Sequence, residues 1–168
     1  MVESVSMRIL GIDPGIARVG WAIIERNQSV ITTRSYGCIT TNQSDEESIR
    51  LLIISKQTTL LIRQHKPDCI ALEKLFFATN AKTVIGVGQA RGVILLVGAS
   101  YSLPIFSYTP LEVKRAITGD GHADKLQVGR MVQMTLKLSE LPKPDDTADA
   151  LAIALTHAYS YKMKGKRI

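Results

Sequence analysis

The sequence predicts a mixed α/β fold, a single sheet covered by helices, and three observations carry that expectation. The first forty residues hold three runs rich in Val, Ile, Thr and aromatics, at 8–12, 20–24 and 30–40, with turn residues between them. Residues 44–64 then change period, with Ile49, Leu52, Ile53, Leu60 and Leu61 at helical spacing. From there to the end, short strand-like runs alternate with helix-like ones.

Each element has its own signal. The first run stops at Asp13-Pro14-Gly15, a turn, and Arg26-Asn27-Gln28 separates the second run from the third. Ser44 with Glu47 three residues later predicts a capping box at the start of the first helix. Pro67 closes that helix, and residues 68–73 form a buried strand that ends on the carboxylate of Glu73. Residues 79–99 read as a helix with Gly86, Gly88, Ala90 and Gly92 along its middle. Its second half, 93–97, is apolar all round and is expected deep against a sheet or a partner subunit. A further strand covers 104–108, helices cover 109–117 and 125–138, and a last helix runs from Asp145-Asp146-Thr147 to about residue 159. Residues 7–160 form one domain in this reading. Residues 1–6 are expected as a loose extension and 161–168 as a basic, fraying tail.

Composition narrows the function classes. The 168 residues carry 21 Lys plus Arg against 15 Asp plus Glu, a net charge of +6, with 45% apolar and 21% charged residues. That balance excludes general disorder and leans weakly toward a polyanionic partner. No apolar run approaches the ~18 residues of a membrane span, and the amino terminus lacks the pattern of a secretory signal. A cytoplasmic protein without a membrane partner is therefore expected. Cys38 and Cys69 stand far apart with no Cys/His cluster, so neither a disulfide framework nor a zinc site is indicated. They read as apolar fillers, His65 and His122 as exposed loop histidines, and His157 as a helix-end residue that needs no function.

The carboxylates are placed unusually. Asp13 and Glu73 each end a hydrophobic strand, where α/β sheets build their sites. Asp146 and Asp149 are three apart at the start of a helix and share one face of it. Taken singly, each has a plainer role open to it: Asp13 as a turn residue, Asp146 as a charge stabilising a helix N-terminus. Taken together, four converging carboxylates would repel one another unless cations neutralised them. An all-oxygen donor set without His or Cys favours a hard ion, Mg²⁺ or Mn²⁺. Two such ions can activate water and stabilise the leaving oxygen of a phosphodiester, while the surrounding Lys and Arg hold the polyanion. That is nuclease chemistry.

Several motifs then carry a resemblance. The segment Met7-Arg-Ile-Leu-Gly-Ile-Asp13-Pro-Gly-Ile-Ala-Arg-Val-Gly20, with Glu73-Lys-Leu-Phe76-Phe77, Asn80-Ala81 and Gly88-Gln89-Ala90-Arg91-Gly92, is similar to the RuvC family of bacterial Holliday-junction resolvases. So are Tyr108-Thr-Pro-Leu-Glu-Val-Lys114 and Asp146-Thr-Ala-Asp149-Ala-Leu-Ala-Ile-Ala-Leu-Thr-His157. The match runs in order over nearly the whole chain. It implies a ribonuclease-H-like fold with a mixed five-stranded sheet flanked by helices, and a homodimer that nicks four-way DNA junctions symmetrically to leave 5′-phosphate ends. It implies that Asp13, Glu73, Asp146 and Asp149 bind Mg²⁺, with Mn²⁺ as a substitute and two ions per site on substrate. Lys114 and Lys125 match basic residues used in junction binding and catalysis, and Phe76 matches an aromatic placed against unstacked bases, with Phe77 left as core. Action with the RuvA–RuvB branch-migration complex, in recombination and repair, is implied in the same way. The Asp-x-Gly opening is also shared with sugar-kinase and actin-like ATPases, but those need two lobes and this chain is too short for both.

Overall fold

The computed structural model describes residues 6–75 and 81–160, with β1 (Ser6–Asp13) at the centre of its sheet. Ile9, Leu10 and Ile12 of β1 are wholly buried, because this strand is covered on both faces and so needs a nearly continuous apolar run. β2 (Arg18–Asn27) pairs antiparallel with β1, and β3 (Val30–Thr40) antiparallel with β2. On the other side β4 (Cys69–Glu73) runs parallel to β1, and β5 (Ile105–Tyr108) parallel to β4. The order β3-β2-β1-β4-β5 is a mixed five-stranded sheet, the ribonuclease-H-like arrangement.

Two helical layers cover it. α1 (Glu47–His65) and α2 (Ala81–Ser100) pack on one face around Leu10, Ile12, Ile23, Ile54, Ile70, Leu72 and Ile94. α3 (Pro110–Thr118), α4 (Lys125–Leu136) and α5 (Asp145–Ser160) pack on the other around Ile9, Ala22, Ile24, Ala71 and the apolar run of α5. Among the described residues no helix is long and apolar enough to cross a membrane.

One expectation is corrected. The capping box at Ser44 and Glu47 does not form: α1 starts at Glu47 without a side-chain cap, and the Ser44 amide donates to Asn42 Oδ1 in the preceding turn. The buried side of α1 carries Ile54, Thr58, Leu61 and Ile62, while Ile49, Leu52 and Leu60 face outward. In the second half of α2, Ile94 and Val97 enter the core and Leu96 is 71% exposed. In both helices apolar residues occupy the outer face as well as the inner one, and periodicity alone does not say which is which.

Candidate active site

Asp13 and Glu73 come from the ends of adjacent parallel strands, so both carboxylates leave the sheet at the same rim. The β1–β2 pairing reaches that rim with Asp13 opposite Gly20. The glycine is required there by a close approach: a Cβ on Gly20 would overlap the carbonyl oxygen of Asp146. Gly11 plays the same part further along β1, where a Cβ would overlap the Ala150 carbonyl and crowd Ala154. With no side chains between them, α5 lies directly on β1 and β2, and its first turn stands over the Asp13–Gly20 pair. Asp146 and Asp149, both half-buried, are carried to the rim by that turn. The buried Thr147 between them fixes it to the third strand, its hydroxyl donating to the Gly37 carbonyl at 3.3 Å.

The electrostatics are those of crowded acids. Burial, then the charges of Glu73, Asp149 and Asp146, push the Asp13 carboxyl up to about 8. The side-chain hydrogen bond between Asp13 and Glu73 raises the first and lowers the second. Burial and the Asp149 charge raise Glu73 as well, while Lys125 opposes the shift. Asp149 is raised by burial and held back by Lys125, whose Nζ donates to its Oδ2 at 3.2 Å.

The structure therefore brings together all four acids expected from the sequence, and Lys125 with them. Lys125 is the first residue of α4, and a capping box sets its place: Asp124 Oδ1 accepts from the Gln127 amide, and Gln127 Oε1 accepts from the Asp124 amide. Lys114 is half-buried on α3, which is capped the same way by Thr109 and Glu112 directly after β5. It takes no part in the ion pairs made with Asp146 and Asp149. Phe76 and Phe77 lie outside the described residues.

Sequence reasoning missed two cations at this rim. Arg18 opens β2 and its Nη1 stands 3.7 Å from Asp146 Oδ2. Arg91 reaches from α2 to the end of β4, where its Nε donates to the Glu73 carbonyl at 3.3 Å. Arg18 lies within the Asp13-to-Gly20 motif and Arg91 within Gln89-Ala90-Arg91-Gly92, so both were in view as sequence but without a partner to give them meaning. Three plainer readings are also refined. Cys38 is half-buried at the rim, its thiol raised by burial and by Asp146, and His157 is a buried core residue whose Nδ1 is 2.7 Å from Tyr108 Oη. His65 is not in a loop: it ends α1, half-buried, with its ring 6.0 Å from that of Trp21.

The donor chemistry fits a hard divalent ion, being all carboxylate oxygen with mutual repulsion left over. Among the described residues no three ligating side chains are drawn close enough to hold an ion as they stand. Lys125 and Arg18 instead supply positive charge to Asp149 and Asp146, and burial with its acidic neighbours holds Asp13 toward its protonated form. Loading an ion means releasing that proton and turning these carboxylates inward.

Comparison with known proteins gives the arrangement its family. A family model described as crossover junction endodeoxyribonuclease RuvC matches residues 9–157. The enzyme of that name from Halothermothrix orenii is 51% identical over 160 residues, covering 95% of this chain and 97% of its own. A solved structure of Thermus thermophilus RuvC in complex with a Holliday junction substrate superposes with a TM-score of 0.89 at 33% identity, over 94% of this chain and 96% of that one. The yeast mitochondrial Holliday junction resolvase shares the fold at a TM-score of 0.64 and 16% identity, over 89% of this chain and 78% of that one. Matched along nearly its whole length by the family model and by a relative half identical to it, the chain belongs to the RuvC family of crossover junction endodeoxyribonucleases.

Proposed function

We propose that this chain resolves four-way DNA junctions in recombination and repair by paired nicks, with Asp13, Glu73, Asp146 and Asp149 as the catalytic metal ligands. One observation carries the assignment of the site: four acids from three separate elements meet at one rim and push the Asp13 carboxyl up to about 8. Bound Mg²⁺, two ions when substrate is present, supplies Lewis-acid activation of water and charge stabilisation at the leaving oxygen. Asp13, raised in the metal-free site, loses its proton as the site loads, and Lys125 leaves Asp149 to face the phosphate. Water adds to phosphorus, the bond to the 3′ oxygen breaks and that oxygen takes a proton, leaving 5′-phosphate and 3′-hydroxyl ends. Arg18, beside Asp146, and Lys114 of α3 serve as phosphate contacts, and Phe76 stacks on an unpaired base, a contact worth roughly 1–3 kcal/mol.

The working unit is a homodimer joined through α2. Ile85 and Leu96 are exposed on its outer face, and a Cβ at Gly92 between them would meet nothing within 4 Å. A helix-interior glycine costs about 1 kcal/mol against alanine, and among the described residues no neighbour accounts for it. Close approach of a second α2 does. Two-fold symmetry then presents two sites to a junction of matching symmetry. The protein works in the cytoplasm, beside the RuvA–RuvB complex that delivers junctions.

The test is cleavage of a synthetic four-way junction beside a linear duplex, with Mg²⁺ or with EDTA, by the parent and by Asp146→Asn/Asp149→Asn. Paired Mg²⁺-dependent nicks on the junction alone, reduced at least about a thousandfold in the double variant, are expected. Junction binding without cutting under any metal would contradict the reading.

A further inference from the structure

The arginine under the catalytic rim has a geometry that its charge alone does not explain. Arg91 is half-buried on α2, next to Ala90, which is wholly buried. Its guanidinium forks across two strands: Nε donates to the Glu73 carbonyl at 3.3 Å, and Nη2 donates to Ser107 Oγ at 3.0 Å. Ser107 stands opposite Leu72 in the β4–β5 pairing, so the fork ties the last residue of β4 to its neighbour strand from below. Such a tie is useful at this point. The β1–β4 ladder ends with Ile12 opposite Leu72, one residue short of Glu73. On the β5 side one further bond, from the Lys74 amide to the Tyr108 carbonyl at 2.8 Å, holds the strand end. β4 itself ends at Glu73.

A cation beside an acidic cluster ordinarily pairs with it, as Lys125 and Arg18 do here. Arg91 instead spends its donors on a main-chain carbonyl and a hydroxyl, and none of the influences on the Glu73 carboxyl comes from it. The Glu73 carboxylate stays available while its backbone is fixed. Planar, preset donors make arginine suited to hold two acceptors at once, which a lysine ammonium on a flexible stem does poorly.

We infer that Arg91 is a positioning residue, which pins the end of β4 to α2 and so sets the affinity with which Glu73 and its partners take up a divalent ion. The inference rests on the reading of Glu73 as a metal ligand. Because α2 also carries the outer face assigned to the dimer, Arg91 links the interface helix to the site.

The experiment is Mn²⁺ titration by calorimetry, without DNA, of the parent, Glu73→Gln, Arg91→Met, Arg91→Lys and Ser107→Ala, with hydrogen exchange of the peptide containing Lys74. Arg91→Met is expected to weaken Mn²⁺ binding about tenfold and to speed exchange at Lys74, with metal-free junction affinity within about twofold of parent. Arg91→Lys recovers part of the loss, and Ser107→Ala loses about threefold. Should Arg91→Met fail to fold, the lysine and Ser107 variants carry the same comparison. Weaker binding in Glu73→Gln with parental Mn²⁺ affinity and parental exchange in the Arg91 and Ser107 variants would overturn the inference alone. Parental Mn²⁺ affinity in Glu73→Gln would overturn the metal-ligand reading on which it rests.

Discussion

Glycine appears on both sides of the catalytic sheet, for opposite reasons. In β1 and β2, Gly11 and Gly20 have no room for a Cβ, because the backbone of α5 occupies the space. In α2, Gly92 has no described residue within 4 Å of where its Cβ would be, although the helix would be more stable with almost any other residue there. The first pair is explained by contacts among the described residues, and the second position is explained by the dimer proposed above. The sheet glycines bring two carboxylates to the rim, and in that proposal the helix glycine keeps an exposed face flat enough for a second copy.

Substitution at the two kinds of glycine should separate these roles. Gly20→Ala has the larger effect. A methyl group there must displace the first turn of α5, costing on the order of 3 kcal/mol and moving Asp146 and Asp149 together. Cleavage below the melting temperature is expected to fall at least about a hundredfold, since misplacement of about 1 Å costs that much in an oriented site. A parental cleavage rate with a parental melting curve would show that α5 does not need this contact. Gly92→Glu is the milder change within one chain. Its monomer should melt no lower than the parent, while sedimentation shows the dimer weakened at least about tenfold and junction cleavage falls with it. An unchanged dimer would move the interface away from α2.

How much of this was legible in the sequence depends on how local the cause is. Asp13, Glu73, Asp146 and Asp149 could be found because each stands at an element end that its own neighbours announce. The sheet was legible for the same reason, through Asp13-Pro14-Gly15, Pro67 and the change of period at residue 44. The capping boxes were only half legible. Ser44-x-x-Glu47 has the same form as Thr109-x-x-Glu112 and Asp124-x-x-Gln127, but at Ser44 the nearby Asn42 side chain takes the amide first and the box is not built. Arg18 with Asp146, and Arg91 with Glu73 and Ser107, depend on which elements approach across the fold, and no spacing in the chain reports that. Which apolar residues of α1 and α2 enter the core was not legible, because both helices carry apolar residues on two faces.

The central claim is that the rim is held together against its own repulsion, at a cost in stability that a bound ion relieves. Asp13 is raised from 3.8 to about 8, so its folded form favours the proton more than its unfolded form does. Its contribution to stability is therefore present below about pH 4 and is lost progressively as the pH rises toward 8. The direct measurement is the melting temperature of metal-free parent and Asp13→Asn from pH 4 to pH 8.5, with Mg²⁺-dependent junction cleavage measured alongside. The variant should melt higher than the parent at pH 8, by on the order of 5 °C, with the gap closing toward pH 4 and cleavage abolished. A variant that melts lower than the parent at pH 8, or one that still cleaves junctions at the parental rate, would contradict it.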